Sequence, residues 1–170
     1  MTSSIKFLLV AVFSVQTISM VMATNNWKVL PIIKLDENKN PTRCGYIYES
    51  KKDGIVLRIE KYVLNNHVIT TLIVESKKLR AEDKVGITTK SFDSFKEFKT
   101  TESRDFFFQA SGNLEKSKTG GVLFYELAIM GGSLVINNQQ TLLPNRLPRE
   151  ISALYLNCAG DLIRPENEIR

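Results

Sequence analysis

The clearest pattern in the chain is a strict alternation. In residues 55–63 (IVLRIEKYV), Ile55, Leu57, Ile59 and Val63 fall on one side of an extended backbone, with Arg58 and Glu60 on the other. A period of two marks a half-buried β-strand. Asn65-Asn66, a pair that tolerates positive φ, follows, and residues 68–75 (VITTLIVE) return rich in β-branched side chains. The two runs predict a β-hairpin. Upstream, the turn signal Lys52-Asp53-Gly54 closes a strand over residues 44–49 (CGYIYE). Residues 27–34 (WKVLPIIK) are apolar and extended, and Pro31 confines them to a sheet edge or a bend. Between these two segments, LDENKNPT is a loop by composition.

After a charged loop, residues 85–89, 92–98 and 105–110 read as three shorter strands that extend an antiparallel meander. In the last of these (DFFFQA), Phe106 and Phe108 alternate around Phe107, which predicts burial of that pair in the core. An exposed apolar patch is the alternative. SGNLEKSKTG is then a polar loop. Residues 122–130 (VLFYELAIM) place Leu123 and Leu127 four apart ahead of Gly131-Gly132, favouring a short helix over a strand. Residues 133–137 read as a strand. Pro148 stands where a first helical residue belongs, and Ile151, Leu154, Tyr155 and Cys158 recur at i, i+3, i+4 and i+7, with Gly160 as the expected stop. The fold class expected is mainly β (α+β): an antiparallel β-sandwich or small barrel with one or two short helices in the C-terminal third.

The ends change the picture. Lys6, the uncharged run of residues 7–15 (FLLVAVFSV) and the small-residue exit Val21-Met22-Ala23 have the order of a secretory signal peptide, with cleavage expected after Ala23. The alternative, an uncleaved anchor, would need about 20 apolar residues, and Gln16, Thr17 and Ser19 interrupt the span. No Cys lies near the expected cut, which argues against a lipid-anchored lipoprotein. Residues 24–170 then form a single β-rich domain with a polar tail from about residue 164. Its net charge falls from +5 to +4 with the loss of Lys6. Lys77, Lys78, Arg80 and Lys84 cluster, but Glu75, Glu82 and Asp83 interleave with them, as in a solvated loop rather than a nucleic-acid or lipid patch.

Two cysteines, Cys44 and Cys158, stand near the two ends of this domain. An even count in an exported chain predicts a disulfide, with free or reactive thiols as the alternative. A helix laid on the sheet, with Cys158 reaching back to Cys44, would accommodate the bridge.

Catalytic patterns are missing. The single His67 falls at the predicted hairpin tip and cannot build a His-rich metal site. No serine sits in a G-x-S-x-G setting, and neither Gly pair has the spacing of a phosphate loop. Asp36-x-Asn38-x-Asn40 opens like a calcium loop, but Pro41 and Ile47 occupy the positions that require Gly and Glu. Asn40-Pro41-Thr42 is disqualified as a glycosylation site by its proline. Acids such as Glu49, Glu60, Glu75 and Asp93 fall on polar strand faces or in loops, where one sequence does not pair them for hydrolysis.

The order of elements resembles the exported bacterial proteins related to the invasion-associated locus B family. Trp27 in an N-terminal strand precedes Cys44, then Gly54 opens a G-x-x-L-R-I run, Phe92-Asp93 lies in the meander, and Gly132 precedes an apolar strand. Leu147, Ile151 and Leu154 form L-x-x-x-[IL]-x-x-L ahead of Cys158. The resemblance spans residues 27–158. It implies a periplasmic or surface β-barrel-like domain without enzymatic activity, linked to host-cell interaction, and it supplies no catalytic residues.

The function expected is that of an exported, non-enzymatic domain, secreted or periplasmic, that binds another protein. That partner is unidentified and could belong to a host. A monomer is expected, with no cofactor, no metal, no nucleic acid and no membrane contact after signal cleavage. Tyr46, Tyr48, Phe106 and Phe108 are the candidate binding surface or ligand pocket. A barrel-type carrier of an apolar ligand is the alternative, and a hydrolase the third reading.

Overall fold

The computed structural model describes residues 27–65, 67–114 and 119–162. The expected signal peptide and the polar tail lie outside them. The described chain is mainly antiparallel β, with two sheets and three helices. The larger sheet has strand order β1 (Trp27–Leu35), β2 (Pro41–Ser50), β3 (Ile55–Leu64), β4 (His67–Ser76), β7 (Phe107–Asn113) and β6 (Lys99–Arg104). The smaller sheet is β5 (Val85–Thr88), β8 (Ser133–Ile136) and β9 (Gln139–Leu142). Both sheets are open. The barrel form of the expected fold is not adopted, because β1 and β6 end the large sheet as unjoined edges.

The alternating run builds β3 as expected, pairing with β4 from Ile55↔Ser76 to Leu64↔His67, except that Val63, expected on the buried side, is exposed near the strand's end. Its inward residues Ile55, Leu57 and Ile59 meet Tyr46 and Tyr48 of β2 and Leu72 and Val74 of β4 in one contiguous core. Burying each such side chain stabilises the fold by about 1.5–3 kcal/mol. The opposite face carries cross-strand ion pairs, Arg43–Glu60 and Arg58–Glu75 among them. Pro31 lies in an edge strand, as expected, paired with β2 on one side only. In the 35–42 segment, the Asp36 carboxylate accepts from the N–H groups of Asn38 and Asn40, making an Asx-type turn of the would-be calcium loop.

Helix α2 (Thr119–Ile129) ends before Gly131, whose φ of +74° is the left-handed conformation that stops a helix. Helix α3 (Arg149–Leu162) lies on β1 and β2, burying Ile151, Tyr155, Cys158, Ala159 and Leu162. Leu154, expected in that stripe, is half exposed at its rim. Gly160 falls inside the helix, which runs two residues past the expected stop. Cys158 forms a disulfide with Cys44, at a Cα separation of 5.9 Å. The second tie between distant segments is the Trp27 indole, whose Nε1–H donates to the Leu142 carbonyl at 3.0 Å and joins the two sheets.

The middle of the chain departs from the expected meander. Residues 92–98 do not form a strand: Asp93 caps helix α1 (Ser94–Glu97) by accepting the Phe95 N–H at 3.0 Å. Phe92 and Phe98 are buried on either side of that turn, so their spacing imitated a strand. β5 leaves the large sheet to pair with β8, its far side closed by α1, where the Ser94 hydroxyl accepts the Ile87 N–H at 2.7 Å. The edge strands β6 (KTTESR) and β9 (QQTL) are almost wholly exposed and carry no apolar alternation to announce them. One helix, α1, therefore precedes the C-terminal third.

Candidate binding surface

The four aromatic residues expected to share a site are separated. Tyr46, Tyr48 and Phe108 are 1%, 0% and 5% exposed, and they belong to the core. Tyr46 packs against Tyr155 at 4.8 Å between ring centres, and Tyr155 stacks on Phe124 at 4.8 Å. This ring cluster joins β2, α2 and α3. Burial pushes all three tyrosine hydroxyls above their ordinary pKa, so they remain protonated phenols. Lys61 lies against the same cluster, its ammonium 5.8 Å from the Phe124 ring centre and 5.5 Å from that of Tyr155. Desolvation lowers the Lys61 pKa.

Phe106 is the exception and corrects the expectation that it pairs with Phe108 in the core: it is 52% exposed. The reason is a turn. β6 and β7 pair through Arg104↔Phe107, which leaves Asp105-Phe106 as a two-residue loop, and Phe106 takes φ +69°. Turns with positive φ at that second position ordinarily place Gly or Asn there. A bulky aromatic side chain in the left-handed region carries strain of about 1–2 kcal/mol, and it persists only where the surroundings hold it.

The loop of residues 77–84 does the holding. The Phe106 N–H donates to the Leu79 carbonyl and the Ser76 N–H to the Phe106 carbonyl, both at 3.1 Å. The Ala81 N–H donates to the Asp105 carboxylate at 3.2 Å, and the Ser103 hydroxyl to the Ala81 carbonyl at 2.7 Å. Leu79, 1% exposed, anchors the loop in the core. Four hydrogen bonds thus tie residues 103–106 to residues 76–81, with the Phe106 ring half exposed. The Arg80 guanidinium covers that ring at 5.6 Å, and Arg104 covers the neighbouring Phe107 ring at 4.6 Å. Beside this pair of stacks, a recess of about 240 Å³ is walled by Ala81, Val85, Phe95, Ser103 and Phe108, with Lys84 and Asp83 at its rim. Phe95 is itself half exposed.

Another surface recess, about 360 Å³, runs from Thr88–Lys90 to Met130–Ser133 and Leu142. Beneath it the Glu126 carboxylate is buried. Burial raises its pKa, but the hydrogen bonds it accepts from the Thr89 hydroxyl and the Ser91 N–H outweigh that and hold it below the ordinary carboxylate range. Its Oε2 therefore anchors the 89–91 loop. Among the described residues no group of three or more His, Cys, Asp and Glu gathers as a metal site, and no helix is long and apolar enough to cross a membrane. His67 opens β4 on the surface.

Nothing in the sequence distinguished Phe106 from its two phenylalanine neighbours. The only available signal was Asp105, a residue that commonly begins a turn. The chain matches no protein-family model, no curated protein and no solved structure.

Proposed function

We propose that this chain is an exported, non-enzymatic domain that binds another protein, and that the Phe106 surface is where it does so. The observation that carries the reading is the φ of +69° at Phe106. A residue held in a strained conformation by its neighbours' hydrogen bonds, and half exposed under a single arginine, does not recover that strain by burial in the core. A rigid aromatic ring with an arginine beside it has the composition of a protein–protein hot spot, where Phe106 would bury on contact and Arg80 would desolvate with it. The intramolecular disulfide suits an oxidising compartment, either the periplasm or the exterior. The burial of Tyr46, Tyr48 and Phe108 against other core side chains favours a macromolecular binder over a carrier of an apolar ligand.

The test immobilises three forms of the oxidised protein: wild type, Phe106→Gly and, as a remote control, Lys52→Gln. Each is exposed to envelope and extracellular fractions. A protein retained by wild type and Lys52→Gln and lost from Phe106→Gly supports the reading. Identical retention by all three contradicts it.

A further inference from the structure

Residues 77–84 (KKLRAEDK) and 102–106 (ESRDF) mix both signs of charge, so composition alone assigns this surface no preference. The structure sorts them. The Asp83 carboxylate accepts from the Arg80 N–H at 2.8 Å and the Asn137 Nδ2–H at 2.6 Å, and those bonds hold its pKa below the ordinary range. Asp105 is taken by the Ala81 N–H, and Glu102 by Arg104 Nε at 2.7 Å. Three of the four acids are thus committed to local bonds, and Glu82 is the one without such a bond among the described residues. The cations Lys77, Lys78, Arg80 and Lys84 are exposed and make no ion pair among the described residues. Beside them, the Phe95-walled recess of about 240 Å³ is below the roughly 300–1,000 Å³ of small-molecule pockets, a size that suits a single inserted side chain.

Resting on the binding function proposed above, we infer that the partner presents an acidic segment carrying one large apolar side chain. Its carboxylates meet Lys77, Lys78, Arg80 and Lys84, and its apolar side chain enters the recess against Phe95. The recess against Phe95, sized for one side chain, favours a polypeptide over a nucleic-acid backbone or an anionic bilayer, whose phosphates would meet the cations alone.

The test uses the full, oxidised chain and three synthetic peptides of equal length, each with a central Trp, flanked by Glu, by Ser or by Lys. Amide NMR shifts at residues 80–84, 95 and 103–107 report where each peptide sits. The Glu peptide should bind at this site about tenfold more tightly than the other two. It should weaken about tenfold on Lys77→Gln/Lys78→Gln/Arg80→Gln, and weaken between about 50 mM and about 500 mM salt. Phe95→Ala should weaken it as well. Equal binding of the Ser peptide overturns the inference, as does binding of phosphatidylglycerol vesicles or oligo-dT in place of the Glu peptide. If Phe106-dependent capture of a partner persists while the Glu peptide shows no preference, the acidic chemistry fails and the binding function stands. If Phe106-dependent capture is also absent, both fail.

Discussion

Arg80 covers the ring of Phe106 at 5.6 Å, while its neighbour Leu79 accepts the Phe106 N–H at 3.1 Å. One short loop therefore fixes both the backbone and the side chain of the most strained aromatic residue in the described chain. Relief of the left-handed strain by Phe106→Gly is offset by the lost stack and the greater freedom of glycine in the unfolded chain. The melting temperature should stay within about 3 °C of wild type. Two positions away, Phe108→Ala should cost about 3–5 kcal/mol, because that ring is buried. Thermal melts of the two variants side by side check the contrast. A collapse on Phe106→Gly comparable to that of Phe108→Ala would place Phe106 in the packing.

The Cys44–Cys158 bridge closes a separation of 114 residues and pins α3 across β2. Replacing both cysteines by alanine should lower unfolding free energy by roughly 4–5 kcal/mol in the chain-entropy account. Denaturant titrations of wild type and the double variant measure this directly. Reduced wild type should shift its midpoint in the same direction as the variant.

Lys61 is a buried cation that stacks on aromatic rings and makes no ion pair among the described residues. Its folded pKa lies below the ordinary 10.5, so the unfolded chain binds the proton more tightly. Folding is thus penalised by the full amount below the folded pKa, and stability rises with pH between the folded and the unfolded values. Lys61→Met should stabilise the protein near neutral pH by at least about 1 kcal/mol and remove that alkaline rise. Unfolding curves of both proteins from neutral to alkaline pH decide it. A destabilised Lys61→Met would show that the ring contacts outweigh the desolvation.

The Tyr48 hydroxyl is buried and has no hydrogen-bond partner among the described residues. Tyr48→Phe removes only that group, and it should raise stability by about 1 kcal/mol. A loss of similar size, read from chemical denaturation, would mean that the hydroxyl is satisfied in solution.

Much of the large sheet was legible because its signals are local. Ile55, Leu57 and Ile59 alternate without interruption, the Asn65 turn adopts φ +50°, and Pro31 marks an edge. α3 announced itself through Ile151, Tyr155 and Cys158, and the two cysteines found each other across it. What escaped notice depends on contacts distant in sequence. β6 and β9 are edges with nothing to bury on one period, and β5 chooses β8, a strand some fifty residues away, over its nearer neighbours. The candidate surface was the least legible part. Phe106 and Phe108 share a strand period in sequence, and only the left-handed turn, imposed by hydrogen bonds from residues 76–81, throws the first outward and keeps the second in.

The most direct test of the central claim replaces Phe106 with a photo-reactive phenylalanine analogue and irradiates the exported protein where it resides. The same analogue at exposed Thr101 serves as the reference. A crosslinked partner protein from position 106 and none from position 101 is the predicted result. Crosslinks absent from both positions, or equal at both, would contradict the assignment of Phe106 as the binding anchor.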